Sequence, residues 1–210
     1  LKTLAAGKHV FLEKPPGATL SEVMADAKQR MGIRDTMPER SQKAYVTPQK
    51  PRGKAVSNTE GRALEWLKSR GLTVETVEAF KVVEQTRGEK VYVLFPYLTK
   101  AGVYINGKTR NIDDKKDMRQ EAGAMPCLYG WHLIDPKART IAIAEGEIDA
   151  MSLHQCGIPA LSVNAGAGNH QWLENDGERL ERFSEILIVF DDDAAGEKGA
   201  KEVIQRLGPE

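Results

Sequence analysis

The stretch that decides the fold is ILIVFDDDAAG, residues 186–196, in which five apolar residues run directly into three consecutive aspartates. Two carboxylates a few ångströms apart in a partly buried site repel each other by on the order of 1–4 kcal/mol. A fold that keeps such a cluster must offset this repulsion, and a divalent cation is the usual means. The stretch therefore predicts a hydrophobic strand that delivers carboxylates to a metal ion.

Strand and helix patterns alternate from Thr140 onward. The predicted strands are TIAIAE (140–145), IPALSV (158–163) and EILIVF (185–190), and the predicted helices are EIDAMSLHQCG (147–157), QWLENDGERLERF (171–183) and AAGEKGAKEVIQRLG (194–208). Repeated strand–helix units imply a parallel sheet with helices on its faces. The predicted fold class is therefore α/β.

Acidic residues follow two of these predicted strands. Glu145 ends the first strand, while Asp191 and Asp193 follow the last. In a parallel sheet, functional groups gather at the carboxyl ends of the strands, so these three side chains are expected to converge. Because alternate residues of an extended chain share a face, Asp192 is expected to point elsewhere. Carboxylates grouped in this way suit Mg²⁺ or Mn²⁺.

Other residues near the acidic cluster support the site or offer a different interpretation of it. Gly146 and Gly196 let the backbone turn tightly beside the carboxylates. Asp149 is either a helix-start acid or a partner of the metal ligands. In the alternative interpretation, one of the last two aspartates of the cluster merely caps the following helix, and Glu145 is a solvated acid.

Charge is divided unevenly along the chain, although the net charge is zero. Residues 1–120 carry 23 Lys and Arg against 14 Asp and Glu, whereas residues 121–210 carry 7 against 16. A basic part joined to an acidic part suits a polyanion on one side and metal cations on the other. Two ordinary solvated surfaces would give the same counts.

The sequence predicts three segments. Residues 1–56 are predicted to form a short helix, TLSEVMADAKQRMG (19–32), and an extended linker rich in proline and basic residues (34–56). Residues 57–137 are predicted to form a small, basic α+β subdomain, and residues 138–210 the α/β domain, truncated at its C-terminal end. The patterns of the subdomain are two helices, SNTEGRALEWLKSRGL (57–72) and TVETVEAF (73–80), and three antiparallel runs, KVVEQ (81–85), KVYVLFPYL (90–98) and GVYING (102–107).

Composition excludes several classes of protein. With 40% hydrophobic residues and no apolar run near the roughly 18 residues of a membrane helix, the chain is expected to be soluble and to have no membrane partner. Two cysteines, Cys127 and Cys156, cannot form a four-cysteine zinc site and are expected to be reduced thiols of a cytoplasmic protein. No G-x-x-x-x-G-K-[ST] phosphate loop is present, so this segment is not predicted to be an ATPase.

The acidic motifs resemble those of a known family. An apolar strand followed by E-G-x-x-D (145–149), and a second followed by D-x-D-x-x-G (191–196), resemble the TOPRIM domain of bacterial-type primases, type IA and II topoisomerases and some nucleases. Longer stretches are similar to the primase half of phage-type and twinkle-like primase–helicases and stand in the same order: FPYL (95–98), PCLYGWHLI (126–134), IAIAEGEIDAMSLHQCGIPALSV (141–163) and LERFSEILIVFDDDAAGEKGAKE (180–202). The resemblance covers roughly residues 22–210. It implies a TOPRIM-like parallel sheet with flanking helices, preceded by a small α+β subdomain.

The resemblance also implies a function. It implies a DNA-dependent RNA primase in which Glu145, Asp191 and Asp193 are catalytic and hold the metal ions. The expected partners are a single-stranded DNA template, ribonucleoside triphosphates and a replicative helicase domain that this chain lacks, in the cytoplasm of a bacterium or phage-infected cell. The basic stretch NGKTRNIDDKKDMRQ (106–120) matches the family's contacts with nucleotide or template phosphates. The matching residues are Lys108, Arg110, Lys115, Lys116 and Arg119.

The sequence departs from the family pattern in ways that keep other functions open. It has no cysteine-rich zinc ribbon, and it ends before a further acidic position and the helicase motor that these proteins usually carry. One alternative is a TOPRIM nuclease or topoisomerase fragment. Another is a non-catalytic DNA-binding module attached to a replicative helicase. Whether this fragment is active on its own is left open by the sequence.

A second resemblance lies at the front of the chain. The stretch LAAGKHVFLEKPPGATLSEV (4–23) resembles the E-K-P segment of glucose–fructose oxidoreductase-like dehydrogenases, in which Lys14 and Pro15 would line a nicotinamide site. Such a site needs a glycine-rich dinucleotide fingerprint upstream, and none precedes this segment. We therefore expect no dehydrogenase activity.

Overall fold

The computed structural model describes residues 2–3, 10–11, 44–49, 52–56 and 61–207. The chain divides into two compact units, Leu1–Ala44 and Tyr45–Glu210. In the first unit, strands β1 (Lys2–Thr3) and β2 (Val10–Phe11) pair antiparallel. The helix predicted at 19–32 and most of the segment that resembles a dehydrogenase lie outside the described residues.

The second unit opens with a five-stranded antiparallel sheet packed against two helices. The helices are α1 (Arg62–Ser69) and α2 (Val74–Ala79). The strands, in spatial order, are β3 (Lys54–Ala55), β4 (Val83–Arg87), β5 (Lys90–Leu98), β6 (Tyr104–Asn111) and β7 (Met118–Gln120). The predicted helices and antiparallel runs are therefore found, because each apolar run is separated from the next by a turn-forming stretch, of two residues between β4 and β5 and of five between β5 and β6.

Strand β3 differs from the prediction of an extended linker. Lys54 and Ala55 pair with Glu84 and Val83 of β4, and the following Val56 is fully buried in the core. The free edge of β4 offers backbone hydrogen-bonding groups that an extended neighbour can satisfy. A short edge strand therefore lies within the segment whose composition predicted a linker. The predicted boundaries at residues 57 and 138 stay predictions.

The turn between α1 and α2 follows from its residue types. Gly71 adopts φ +83°, a left-handed conformation that ends α1 and that glycine adopts without strain. The side chain of Thr73 then accepts a hydrogen bond from the N–H of Thr76 at 3.3 Å and so caps α2. The apolar face of α1, which includes Leu64 and Leu67, is buried against the sheet.

The second half of this unit is a three-stranded parallel sheet with helices between its strands. Strands β8 (Thr140–Ala144), β9 (Ala160–Ser162) and β10 (Glu185–Val189) lie in the order β10-β8-β9. The helices are α3 (Glu147–Gln155), α4 (Leu173–Leu180) and α5 (Ala194–Leu207). All strand pairs in this sheet are parallel, which confirms the α/β class predicted from the alternating pattern.

The two larger hydrophobic cores among the described residues pack against these sheets, and a smaller third cluster contains Ala142, Ala144, Ala150 and Ala160. Leu67, Val93 and Phe95 belong to the core between α1, α2 and the antiparallel sheet. Ile143 and Trp172 belong to the core around the parallel sheet, together with residues of the 3₁₀ turn at Trp131–Leu133. None of the helices described is long and apolar enough to cross a membrane.

Candidate functional site

The carboxyl ends of β8 and β10 lie side by side, because Ala144 pairs with Val189 in the parallel register. Glu145 follows β8 directly, and Asp191 lies two residues beyond β10. The backbone N–H of Asp191 donates to Oε2 of Glu145 at 3.4 Å, although the two residues are 46 positions apart. The fold therefore brings these two acidic residues together, as the sequence predicted.

Asp149 adds a third carboxylate to this edge of the sheet. It lies in the first turn of α3, and a Cβ on Gly146 would come within 2.7 Å of its Oδ2. The absence of a side chain at Gly146 thus lets Asp149 fold back over the turn. Burial and then the negative charge of Asp191 raise the pKa of the Asp149 carboxyl, and Glu145 contributes in the same direction. This concentration of negative charge is what a bound cation would relieve.

Asp193 lies at the start of α5. Its Oδ1 accepts hydrogen bonds from the backbone N–H groups of Ala195 at 2.9 Å and Gly196 at 2.8 Å, so it caps α5. The extended segment ends before Asp193, because α5 already begins at Ala194. The capping alternative therefore describes this contact of Asp193, and its binding of a metal ion stays a prediction.

A cleft of about 730 Å³ runs beside these carboxylates. Its acidic lining consists of Glu145, Glu147, Asp149 and Asp191, and its basic lining consists of Arg70, Lys108, Arg110 and Arg119. Among the residues that the structure describes, no three or more His, Cys, Asp or Glu side chains are arranged to enclose a metal ion. The cleft thus combines the acidic residues Glu145 and Asp191, joined through the backbone N–H of Asp191, with a cluster of cations.

Lys108, a basic residue of the cleft, forms an ion pair with Glu147, an acidic residue of the same cleft. Its Nζ lies 3.1 Å from Oε2 of Glu147, and Oε1 of Glu147 accepts a hydrogen bond from the Tyr97 hydroxyl at 2.5 Å. The side chains of Lys108 and Glu147 are only 14% and 7% exposed, so this ion pair is largely desolvated. Desolvation and the neighbouring Glu147 carboxylate raise the pKa of Tyr97 well above its usual value. The sequence indicated Lys108 but gave no signal for its partners, because Glu147 looks like an ordinary first-turn acid.

A second contact ties the two sheets together at the same cleft. The side-chain amide of Gln120, at the end of β7, donates to the backbone carbonyl of Asn164, which follows β9. Asn164 in turn donates from Nδ2 to Oε1 of Gln120 at 3.5 Å. The antiparallel sheet is therefore linked to α3 by Lys108–Glu147 and to the loop after β9 by Gln120–Asn164.

The five predicted phosphate ligands separate into two groups. Lys108, Arg110 and Arg119 line the cleft. Lys115 and Lys116 are exposed on the turn between β6 and β7 and are not part of the lining. Alternation along β6 accounts for Lys108 and Arg110, which are two residues apart and share a face of the sheet, whereas Arg119 comes from β7.

Arg70 is a cleft residue that the sequence did not indicate. It directly follows α1, far from the basic stretch, and its guanidinium carbon lies 5.2 Å from the ring centroid of Trp66. The available signal was the spacing of Trp66 and Arg70, because residues four apart on a helix are neighbours on its surface. That spacing predicts the contact but not the cleft beside it.

Gly196 holds the start of α5 against the Asp191 segment. A Cβ at Gly196 would overlap the backbone carbonyl of Asp191, whereas a Cβ at Gly177 in α4 would meet open space. Overpacking of a tight contact typically costs about 1–3 kcal/mol, so Gly196→Ala is expected to lower the free energy of unfolding by that amount. The matched change Gly177→Ala is expected to raise it by up to about 1 kcal/mol, because alanine favours a helix over glycine. Urea denaturation of both variants measures the difference, and equal stability would contradict it.

The parallel sheet and its acidic strand ends lie almost entirely within a segment that matches a known family model. Residues 142–210 match the family model described as Toprim-like, which confirms the resemblance seen in the sequence. The chain is 27% identical over 162 residues to the chloroplastic/mitochondrial Twinkle homolog protein of Arabidopsis thaliana, covering 70% of this chain and 22% of that protein. It is 28% identical over 145 residues to the DNA helicase/primase of Enterobacteria phage T3, covering 67% of this chain and 25% of that protein.

A solved structure gives the same relationship. The primase fragment of the bacteriophage T7 primase–helicase protein superposes with a TM-score of 0.62 and 26% identity, covering 81% of this chain and 72% of that one. This superposition extends beyond the Toprim-like segment and includes the antiparallel sheet before it. The chain spans about a quarter or less of the Twinkle homolog and of the phage T3 helicase/primase.

Proposed function

We propose that the chain is the core of a DNA primase, which joins ribonucleotides into short RNA primers on a single-stranded DNA template. The observation that carries the proposal is the meeting of Glu145 and Asp191 at the carboxyl edge of the parallel sheet, in a cleft that also holds Lys108 and Arg110. The similarity to a phage helicase/primase and to a T7 primase fragment supports the same reaction.

The acidic side of the cleft fits Mg²⁺, or Mn²⁺ in its place. Magnesium is usually bound by one or two protein carboxylates and otherwise keeps waters and substrate phosphates, so the pair Glu145 and Asp191 supplies a sufficient set. Asp193, which caps α5, would position Asp191 rather than bind the ion, and Asp149 would tune the charge of the site. When bound, the ion would activate a 3′-hydroxyl and stabilise the departing pyrophosphate.

The protein's own residues would contribute positioning and charge neutralisation rather than covalent chemistry. Lys108, Arg110 and Arg119 would hold the triphosphate of a nucleotide beside the carboxylates. Glu147 would keep the Lys108 ammonium in the cleft through the 3.1 Å ion pair. The exposed Lys115 and Lys116 would contact the phosphates of the template strand outside the cleft.

The larger setting of this core follows from its relatives. Because the phage T3 relative is a helicase/primase, we propose that a replicative helicase domain works beside this core. Its place of action would be the cytoplasm of a bacterium or a phage-infected cell. The partners would then be single-stranded DNA, ribonucleoside triphosphates and the helicase domain.

A primer-synthesis assay tests the proposal. The chain is incubated with single-stranded DNA, labelled ribonucleoside triphosphates and Mg²⁺, and the products are separated by length. We expect short RNA products that disappear when EDTA is added or when Glu145 is replaced by glutamine. Cleavage of the DNA without RNA products would instead identify a nuclease, and binding of the DNA without either product would identify a non-catalytic module.

A further inference from the structure

The loop after β9 forms the wall of the cleft next to Glu145. Its residues Asn164, Ala165 and Gly166 all line the cleft. Gly166 adopts φ +73°, and a Cβ on it would lie 4.0 Å from Oε1 of Glu145. The backbone of this loop therefore passes beside one of the two proposed metal ligands, and a molecule bound at Glu145 would contact it.

The far end of the same loop is attached to α5 through a buried imidazole. Nε2 of His170 lies 2.7 Å from Oε2 of Glu202, a residue of α5, and the His170 side chain is only 5% exposed. Its Nδ1 is buried and, among the residues that the structure describes, has no hydrogen-bond partner. The hydrogen bond from His170 lowers the pKa of the Glu202 carboxyl and so favours its ionised form. A hydrogen bond to an ionised group is stronger than one between neutral groups.

Helix α5 also packs directly against the middle of the loop. A Cβ on Gly199 would come within 2.5 Å of the Cβ of Ala167 and within 2.6 Å of its carbonyl oxygen. The absence of a side chain at Gly199 lets the helix and the loop approach this closely. Gly199 and Glu202 are three residues apart and lie on the same side of the helix, so one side of α5 makes both contacts with the loop.

The start of the same helix contacts the other acidic segment of the cleft. Asp193 caps α5, and Gly196 lies against the backbone of Asp191. One helix therefore contacts the Asp191 segment at its first turn and the loop beside Glu145 one to two turns later. His170 itself does not line the cleft, so its effect on a bound molecule would be transmitted through the loop.

We propose that His170 and Glu202 are positioning residues, which hold the loop after β9 at the distance from Glu145 that a magnesium-bound nucleoside triphosphate requires. The nature of this ligand rests on the proposed function. The contacts Gln120–Asn164 and His170–Glu202 fix the loop at both ends before the nucleotide binds. A site whose parts are already in place loses little conformational entropy on binding. A wall displaced by about 1 Å can cost as much as 10²-fold in rate.

Nucleotide binding and nucleotide turnover are measured separately in folded variants. Calorimetry gives the affinity for ATP with Mg²⁺, and primer synthesis gives kcat and the KM for ribonucleoside triphosphates. We expect His170→Ala to bind ATP about tenfold more weakly. Its KM should rise by a similar factor while kcat stays within about threefold. His170→Gln keeps an N–H donor at nearly the position of Nε2 and should recover most of the affinity. Affinity for single-stranded DNA should stay within about twofold, because the proposed template contacts Lys115 and Lys116 are not part of the cleft lining.

A double-mutant cycle shows whether the contact between His170 and Glu202 is the cause. Glu202→Ala alone should weaken the binding of ATP by a factor similar to that of His170→Ala. The double variant should bind no more weakly than either single variant, because both changes remove the same contact. Losses that multiply in the double variant would overturn the role of the pair.

Two matched controls separate positioning from charge and from stability. Glu197 forms an exposed ion pair with Lys201 on the same helix, so Glu197→Gln should bind ATP within about twofold of the unchanged protein. Gln155 makes three hydrogen bonds to residues 71–76, away from the cleft. Gln155→Ala should therefore lower the melting temperature and leave the affinity for ATP unchanged.

The failure of this proposal differs from the failure of the proposed function. Unchanged affinity and KM in folded His170→Ala would overturn the positioning role even if primers are made. A loss of affinity that Gln155→Ala matches, or that His170→Gln does not restore, would also overturn it. If no primers are made but the affinity for ATP changes as expected, the positioning role stays and the primase proposal fails. Absence of ATP binding by the unchanged protein would overturn both.

Discussion

Replacing Asp191 with asparagine should lower the rate of primer synthesis by about 10³-fold while the protein stays folded. Asp191 and Glu145 both line the cleft and are joined by the backbone N–H of Asp191, and an amide oxygen is a much weaker ligand for a hard cation than a carboxylate. A catalytic metal contributes several kcal/mol of charge stabilisation, and about 4 kcal/mol corresponds to roughly 10³-fold in rate. The measurement is the initial rate of RNA product formation at saturating Mg²⁺.

Thermal unfolding gives this prediction a second readout. Mg²⁺ should raise the melting temperature of the unchanged protein, since a ligand at 100 times its Kd stabilises the folded state by about 2.7 kcal/mol. Asp191→Asn should lose that dependence, and without Mg²⁺ it should melt no lower than the unchanged protein, because a charge that repels Asp149 is removed. Asp192→Asn, at an exposed position of the same segment, serves as the control and should behave like the unchanged protein in both assays. Full primer synthesis by Asp191→Asn would contradict the proposed role.

Replacing Glu147 with alanine should lower the free energy of unfolding by roughly 3–5 kcal/mol. This change leaves the Lys108 ammonium, only 14% exposed, without its partner 3.1 Å away. It also leaves the fully buried hydroxyl of Tyr97 without its acceptor. Removal of one member of a buried ion pair is costly because the other charge stays desolvated and uncompensated. Urea denaturation followed by circular dichroism measures the loss.

Two control variants show whether the ion pair is the cause. The double change Glu147→Leu with Lys108→Met removes both charges and should recover most of the lost stability, since an apolar pair of similar size often replaces a buried ion pair at little cost. Glu121→Ala removes an exposed carboxylate that accepts a 3.1 Å hydrogen bond from the Tyr104 hydroxyl, and this change should cost no more than about 1 kcal/mol. A double variant as unstable as Glu147→Ala would show that packing, rather than charge, accounts for the loss.

The parallel sheet could be predicted from the sequence because its signals are local. Each of β8, β9 and β10 is a short apolar run followed by a turn and a helical pattern, and this order leaves few alternatives to a parallel sheet. The meeting of Glu145 and Asp191 follows from the sheet, because both residues stand just beyond the ends of neighbouring strands. The edge strand β3 was missed because two residues within a proline-rich basic segment are too few to show the alternation of apolar and polar residues that identifies a strand.

The rest of the site depends on distances that a single sequence does not encode. Asp193 caps a helix because α5 begins at the next residue, Ala194. A sequence does not define the first residue of a helix to better than one or two positions, so the cap could not be assigned in advance. The contacts of Glu147 join residues 39 and 50 positions away, so neither Lys108 nor Tyr97 could be assigned as its partner in advance. Arg70 reaches the cleft only because α1 packs on the face of the sheet that carries Arg110.

Two contacts, Lys108–Glu147 and Gln120–Asn164, join the antiparallel sheet to α3 and to the loop after β9. They set the width of the cleft before any substrate binds. If the cleft has a fixed width, a ligand whose charged groups match that width binds with little loss of conformational freedom in the protein. The cleft can then select ligands by their length and by the spacing of their charged groups, before any base is contacted.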